Sequence, residues 1–246
     1  MSMSGVRWSD VGYRTLDYFF PSFCLLCGTR IPASGNLIVC SPCLDKVAFI
    51  APPLCVRCGK PFPTLSEYDH VCGECLVHSS ALTRVRALGT YEGTLRTLIH
   101  LFKYRQKRSL DSILRMLLDR KGGDLDFTDY DLVLPVPLHK KRLQERGFNQ
   151  AGAWASIIGD KYHIPVNVRA LRRSIPTSPQ VTLQGKARKE NVRNVFRISD
   201  VSLIQNKSIL LVDDVYTTGA TMGECASVLM HAGALLVDGY VIARAV

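Results

Sequence analysis

One stretch constrains this chain more than any other: residues 209–221 read ILLVDDVYTTGAT. Ile209 to Val212 are consecutive apolar residues, the pattern of a short strand buried on both faces. Two carboxylates follow, Asp213 and Asp214. Val215 and Tyr216 then lead into a small, hydroxyl-rich turn, Thr217-Thr218-Gly219-Ala220-Thr221, which opens a helical pattern. A strand that turns sharply into a helix leaves the first helical N–H groups without intrahelical partners, and the helix dipole adds positive potential at that end. Such an end suits a phosphate. Gly219 lets the backbone approach an anion closely, and the threonine hydroxyls add donors. Two carboxylates beside a phosphate repel it unless they face something else. A vicinal diol is the natural partner, because a carboxylate accepts hydrogen bonds from hydroxyls. The ligand implied is a ribose phosphate.

Cysteine placement is the second constraint. Eight of the 9 cysteines lie between Cys24 and Cys75, and Cys225 stands apart. The eight form Cys-x-x-Cys pairs: Cys24/Cys27, Cys40/Cys43, Cys55/Cys58 and Cys72/Cys75, with gaps of 12, 11 and 13 residues between pairs. One such pair grips one side of a tetrahedral metal, and two pairs complete a four-sulfur zinc site. Two structural zinc ions are expected. Sequential pairing (24/27 with 40/43, 55/58 with 72/75) is favoured over an interleaved arrangement, although spacing alone leaves both open. Glycines 28, 59 and 73 are expected where the backbone turns to donate to sulfur. The segment has few other apolar residues, so metal binding is expected to supply much of its folding energy. His70 and His78 flank the last pair and are not expected as ligands. Cys225 falls in the helix after the turn and reads as a small core residue.

The N-terminal residues MSMSGVRWSD lack the apolar core of a secretory signal, and no apolar run approaches the ~18 residues of a membrane span. A cytoplasmic, reducing location is expected, which disfavours disulfides. Charge is segregated. Residues 1–82 hold 6 Lys/Arg and 6 Asp/Glu, so the whole net charge of +10 lies in the remainder. A polyphosphate ligand or nucleic acid would each draw on that excess.

Residues 8–20 carry apolar side chains at a spacing that suggests a short amphipathic helix, and Pro52-Pro53 marks a joint between the cysteine groups. A strand is expected over 83–90, then helices with apolar residues at Leu95, Leu98, Ile99 and Phe102 and over 109–120. Residues 131–136 read as a buried strand that gives way to a basic loop bearing Lys141, Arg142 and Arg146, then to a helix over 149–162. Arginine there pairs with phosphate oxygens through its planar fork. Residues 172–197 are rich in Lys and Arg, with Glu190 as the one acid, and read as a long basic binding loop. A helix over 222–232 and a strand over 235–243 close the chain. Strands alternating with helices argue for a parallel sheet, with ligands at the carboxyl ends of its strands.

The 209–221 stretch resembles the 5-phosphoribosyl-1-pyrophosphate (PRPP) loop of type I phosphoribosyltransferases, with Tyr216 where an aliphatic residue is more usual. The resemblance narrows when other motifs are added. These are the cysteine pairs, Tyr91-Glu92-Gly93 with Lys103-Tyr104, PVPLHKKRLQERGFNQA ending at Ala151, and Gln180 with ARKENVRNVF. Together they resemble the ComF family over nearly the whole chain. That resemblance implies an α/β chain: a type I phosphoribosyltransferase fold (central parallel sheet, flanking helices, small hood) over residues 81–246, behind a double zinc ribbon with a short N-terminal helix over 1–80. It implies that Asp213 and Asp214 hold the ribose hydroxyls, that Thr217 to Thr221 cradle the 5-phosphate, and that Val215 and Tyr216 complete the PRPP-binding stretch. It further implies that Arg142 and Arg146, within Pro137–Gln150, meet the pyrophosphate, that Lys103 reaches in from a hood around residues 84–110, and that Arg172–Arg193 form a flexible loop. In the family's chemistry Mg2+ bridges pyrophosphate and ribose oxygens while a nitrogen nucleophile displaces pyrophosphate at the anomeric carbon. Asp213, Asp214, Arg142 and Arg146 would be the catalytic set. Members are associated with natural transformation, so single-stranded DNA and a competence helicase or other DNA-processing protein are the implied partners. A nucleobase or small-molecule phosphoribosyltransferase of salvage metabolism, without a DNA role, is the alternative. A glutamine-dependent amidotransferase is not expected, since the N-terminus offers Met1-Ser2-Met3 rather than a catalytic cysteine.

Overall fold

The computed structural model describes residues 21–31, 38–62, 68–104, 108–121, 126–173 and 195–246. The helix expected within residues 8–20 and most of the basic loop, residues 174–194, lie outside them. In chain order the elements are β1 (Ser22–Phe23), β2 (Arg30–Ile31), α1 (Ser41–Leu44), α2 (Gly73–Val77), β3 (Val85–Thr90), α3 (Gly93–Tyr104) and α4 (Arg108–Lys121). They continue with β4 (Leu132–Pro135), α5 (Lys140–Arg146), α6 (Gln150–Tyr162), β5 (Leu171–Arg173), β6 (Phe196–Ile198), β7 (Ser208–Tyr216), α7 (Ala220–His231) and β8 (Leu236–Arg244). None of the described helices is long and apolar enough to cross a membrane.

The central sheet runs β3-β8-β7-β4, and every neighbouring pair is parallel. Its strands are apolar on both faces, as a doubly covered parallel sheet requires. Alternation then divides the core. Val133, Leu210, Val212, Tyr240 and Ile242 face one layer with Trp154 of α6 and the apolar faces of α3 and α4. Leu134, Ile209, Leu211, Val237 and Val241 face the other layer with Met222, Cys225 and Leu229 of α7. Cys225 is fully buried there, as its small size suggested.

Both edges of the sheet are covered. Ala48 to Ile50 run against β3, with Ile50 N–H donating to Leu88 O at 3.0 Å and Thr90 N–H to Ala48 O at 2.9 Å. Residues 165–167 do the same for β4, where Val133 N–H donates to Pro165 O at 2.9 Å. Unpaired edge groups are thereby removed from solvent. Residues 85–90, expected in the hood, are therefore an edge strand of the sheet itself.

The cysteine-rich segment does not stand apart from this sheet. Cys24, Ile31, Val39, Cys43, Leu44 and Val47 join the first core layer, while Ile50 and Leu54 join the second. The segment thus crosses the β3 edge and touches both faces. Part of its apolar set is buried on the sheet while Phe23, Tyr68, Leu76 and Val77 stay exposed, so docking contributes to its folding alongside the metal.

One buried polar network ties the strand ends. Asp238 on β8 is fully buried and accepts from Arg84 Nε at 2.6 Å, Tyr130 Oη at 2.6 Å and Arg84 N–H at 3.2 Å. Asp238→Ala is expected to destabilise the fold by about 3 kcal/mol, because it strands the buried Tyr130 hydroxyl and removes the counter-charge of the half-buried Arg84. Urea denaturation tests this, and a loss below about 1 kcal/mol would show the network to be dispensable.

Candidate functional site

The metal centres form first in the chain. The sulfurs of Cys24, Cys27, Cys40 and Cys43 cluster within 4.8 Å of one another, as do those of Cys55, Cys58, Cys72 and Cys75. Pairing is therefore sequential. Each centre repeats one plan. The first pair sits in a tight turn closed by glycine: Gly28 N–H donates to Cys24 O and Gly59 N–H to Cys55 O, both at 2.9 Å, with φ of 71° and 66°. The second pair opens a short helix with its first cysteine at the N-cap, Cys40 for α1 and Cys72 for α2. Gly73, expected in a turn, is instead the first residue of α2.

The donor sets fit zinc. Ligands held about 2.3 Å from a tetrahedral ion stand about 3.8 Å apart. The Cys27–Cys40 and Cys58–Cys72 sulfur separations are 3.6 and 3.7 Å. Backbone donors also point at sulfur: Cys40 N–H and Leu26 N–H to Cys24 at 3.4 Å, and Cys72 N–H to Cys55 at 3.3 Å. Burial opposes ionisation of Cys55, yet donation from Cys58, Cys72 and Arg57 brings its thiol down to about 6. The Thr29 hydroxyl and N–H do the same for Cys27, also to about 6. Metal ligation requires those thiolates. His70 stacks on Phe62 at 3.8 Å and takes no part in either cluster. These are two structural zinc sites.

The second site lies at the carboxyl end of β7. Asp213 and Asp214 end the buried part of that strand. Each carboxylate accepts the next residue's N–H, Asp214 N–H to Asp213 at 2.8 Å and Val215 N–H to Asp214 at 2.9 Å. Burial, then the Asp214 charge, hold the Asp213 carboxyl well above the usual carboxylate range, with Lys103 pulling the other way. After Thr217 and Thr218 the chain turns at Gly219, the N-cap of α7, at φ 74°. That residue supplies no side-chain cap; Ala220 N–H reaches Thr218 Oγ1 at 3.5 Å, and the first turn of α7, Ala220 to Met222, lines the cavity above it.

A cavity of about 240 Å3 lies over this turn. Asp213 through Thr221 form its floor. Arg142 and Arg146 enter from α5, Lys103 from the end of α3, and Arg173 from β5. The stretch expected as a basic loop is in part helical, which spaces Arg142 and Arg146 one turn apart on one face. Asn149 anchors its far end, capping α6 through Ala151 N–H and donating to Val136 O at 3.0 Å. All the residues singled out around the ribose-phosphate motif thus meet in one place. The side chain of Lys141 lies outside those described.

Arg173 was not singled out from sequence. Two adjacent arginines begin the basic stretch, and strand alternation sends Arg172 outward and Arg173 inward, 5.6 Å over the Phe196 ring. Burial and then the Arg142 charge lower its pKa. Four cations therefore face two carboxylates, one of which resists ionisation. That balance draws a polyanion and leaves the carboxylates for hydroxyl groups.

Comparison with known proteins follows the same lines. A family profile described as "Double zinc ribbon domain" matches residues 15–76. The chain is 32% identical over 232 residues to "DNA utilization protein YhgH" of Escherichia coli O6:H1, covering 91% of this chain and 97% of that protein. It is 29% identical over 232 residues to "Competence protein F" of Haemophilus influenzae, covering 92% and 99%. Among solved structures, glutamine PRPP amidotransferase from Bacillus subtilis is 17% identical with a TM-score of 0.35, over 61% of this chain and 26% of that one. The chain thus spans about a quarter of that enzyme. The overlap is slight, and the fold rests instead on the all-parallel sheet and the turn that follows β7. A double zinc ribbon joined to a type I phosphoribosyltransferase fold, with relatives matched over 91% and 92% of this chain, places the chain in the ComF family.

Proposed function

We propose that the chain binds PRPP with Mg2+ in the cavity above β7 and acts in the handling of DNA taken up by the cell. One observation carries the ligand: the Asp213–Asp214 pair and the open N-terminus of α7 share a cavity with Lys103, Arg142, Arg146 and Arg173. In this reading the turn from Thr217 to Thr221 receives the 5-phosphate and the carboxylates receive the ribose diol. The guanidiniums hold the pyrophosphate, and Mg2+ would enter the site with it. The metal supplies charge neutralisation on the leaving pyrophosphate. The retained carboxylate pair also equips the site to stabilise positive charge on a sugar that loses pyrophosphate. The DNA role draws on the names of the matched relatives and on a net charge of +10 located outside the first 82 residues.

Calorimetric titration of the zinc-loaded protein with PRPP and Mg2+ tests the ligand, and micromolar affinity is the expected result. Failure of the folded protein to bind would remove PRPP from the proposal. Titration with single-stranded DNA over a range of salt tests the partner. Neutralising Arg188, Lys189 and Arg193, which lie outside the described residues, is expected to reduce the salt slope by roughly one unit per lost phosphate contact. An unchanged slope and affinity would show that the basic loop does not touch DNA.

A further inference from the structure

The second zinc centre and the phosphate-binding turn are joined by two side chains. Arg244, the last residue of β8, is 4% exposed. Among the described residues no carboxylate pairs with it. Its guanidinium donates instead to the second centre, Nη1 to Cys58 O at 2.8 Å and Nη2 to Cys58 Sγ at 3.4 Å. A zinc ion held by four thiolates carries a net charge of minus two, which suits a buried guanidinium. The other face of that guanidinium lies 4.9 Å from the Tyr216 ring centre. Strand register sets this contact, since Tyr216 and Arg244 are direct partners in the β7–β8 ladder.

Tyr216 in turn reaches the turn. Its hydroxyl lies so close to Gly219 that a Cβ built there would stand 2.2 Å from it. The ring lines two cavities. On one side is the ribose-phosphate cavity. On the other is a second cavity of about 320 Å3, lined by Arg57, Cys58, Cys75, Ser80 and Leu82 toward the zinc centre. The ring packs on the second core layer, and the Arg244 guanidinium over it adds the contact that links it to the zinc centre.

We propose that the second zinc centre positions the phosphate-binding turn through Arg244 and Tyr216, so that its occupancy and occupancy of the turn are coupled. With zinc bound, the thiolates hold Arg244, Arg244 holds the Tyr216 ring, and the ring fixes Gly219 in its left-handed conformation. Without zinc the guanidinium loses its counter-charge and moves toward solvent, and the ring follows into the rear cavity. Arg244 and Tyr216 are positioning residues: the first touches no part of the expected ligand, and the second acts through Gly219. The coupling rests on the reading of residues 217–221 as a ribose-phosphate site, while the strut itself does not.

Two variants separate these. Arg244→Lys keeps a charge but loses the fork and the stacking plane, and Tyr216→Leu fits the strand while removing the wedge. Both are first checked for two zinc equivalents. Amide hydrogen exchange over residues 215–222 of the ligand-free protein is expected to speed up about tenfold in each. Zinc release to a chromophoric chelator supplies the reciprocal test. In the wild type, saturating PRPP and Mg2+ should slow departure of one of the two ions about tenfold, and in Tyr216→Leu they should not, because coupling between two sites acts in both directions. Unchanged exchange in the variants overturns the proposal, and so does zinc release indifferent to PRPP that is shown to bind. If Arg244→Lys does not fold, Tyr216→Leu decides. If the wild type binds no PRPP, the functional reading fails and exchange alone judges the strut.

Discussion

Cys55→Ser is expected to leave one zinc equivalent and to unfold the second ribbon, with a large fall in the melting midpoint of the protein. The reason lies in what that ribbon has for a core. Among the described residues its buried cluster consists of Cys55, Cys58 and Cys72, with Phe62 and Cys75 packed against it. Removing the metal removes that core, and structural zinc in motifs of this size contributes about 10–16 kcal/mol. The loss also strands Arg244, whose buried charge is matched only by that centre among the described residues. Cys27→Ser, in the first centre, should cost less. Cys24 and Cys43 lie in a cluster continuous with the sheet, where Ile31, Val39, Leu44 and Val47 retain their contacts. Zinc titration with a chelator, limited proteolysis and scanning calorimetry read these effects together. A Cys55→Ser protein with one zinc and the wild-type midpoint would show that packing, not metal, holds the second ribbon.

Joint replacement of the acid pair, Asp213→Ala with Asp214→Ala, is expected to weaken PRPP binding at least a hundredfold, or about 2.7 kcal/mol. In the proposed reading the two carboxylates accept from a ribose diol, and hydrogen bonds to charged groups contribute about 1.5–3 kcal/mol each. A second, opposite effect accompanies the first. Asp213 holds its proton more tightly in the folded state than in the unfolded chain. The folded state therefore binds more protons, and stability falls as pH rises from the ordinary carboxylate range through the raised value. Asp213→Asn removes that loss. The variant should be more stable than the wild type at neutral pH, by about 1 kcal/mol, with the advantage vanishing in acid. Denaturation at several pH values, beside calorimetric titration, shows both halves. A variant that loses stability and keeps affinity would mean that Asp213 is a structural residue.

Much of this site is legible in the chain because its parts are local. The cysteine ligands and the order apolar-Asp-Asp-turn-Thr-Gly-Thr are set by near neighbours, and their geometry follows from one turn of backbone. The sequential metal pairing agrees with the favoured order, although spacing alone left an interleaved option open. Less local features escaped. Arg173 and Arg172 are indistinguishable until strand alternation sends one inward. Residues 85–90 look like any strand until pairing with β8 places them at the sheet edge. Tyr216 was visible only as an unusual residue in its motif, because its partner Arg244 lies on another strand.

Sequence by itself determined two four-cysteine zinc centres, the acid pair and the strand-to-helix turn after it, since each is written within a few residues and depends on short-range backbone geometry. Tertiary structure alone decided that Arg173 and Arg244 join them, and it gives the reason that the charges implied by family resemblance meet there. Lys103, Arg142, Arg146 and Arg173 converge on Asp213 because four parallel strands place their carboxyl ends side by side. Arg244 reaches Cys58 across 186 residues because β8 ends where the second ribbon docks on the sheet. Such contacts depend on register between strands and on how one layer lies on another, and no spacing along the chain encodes them.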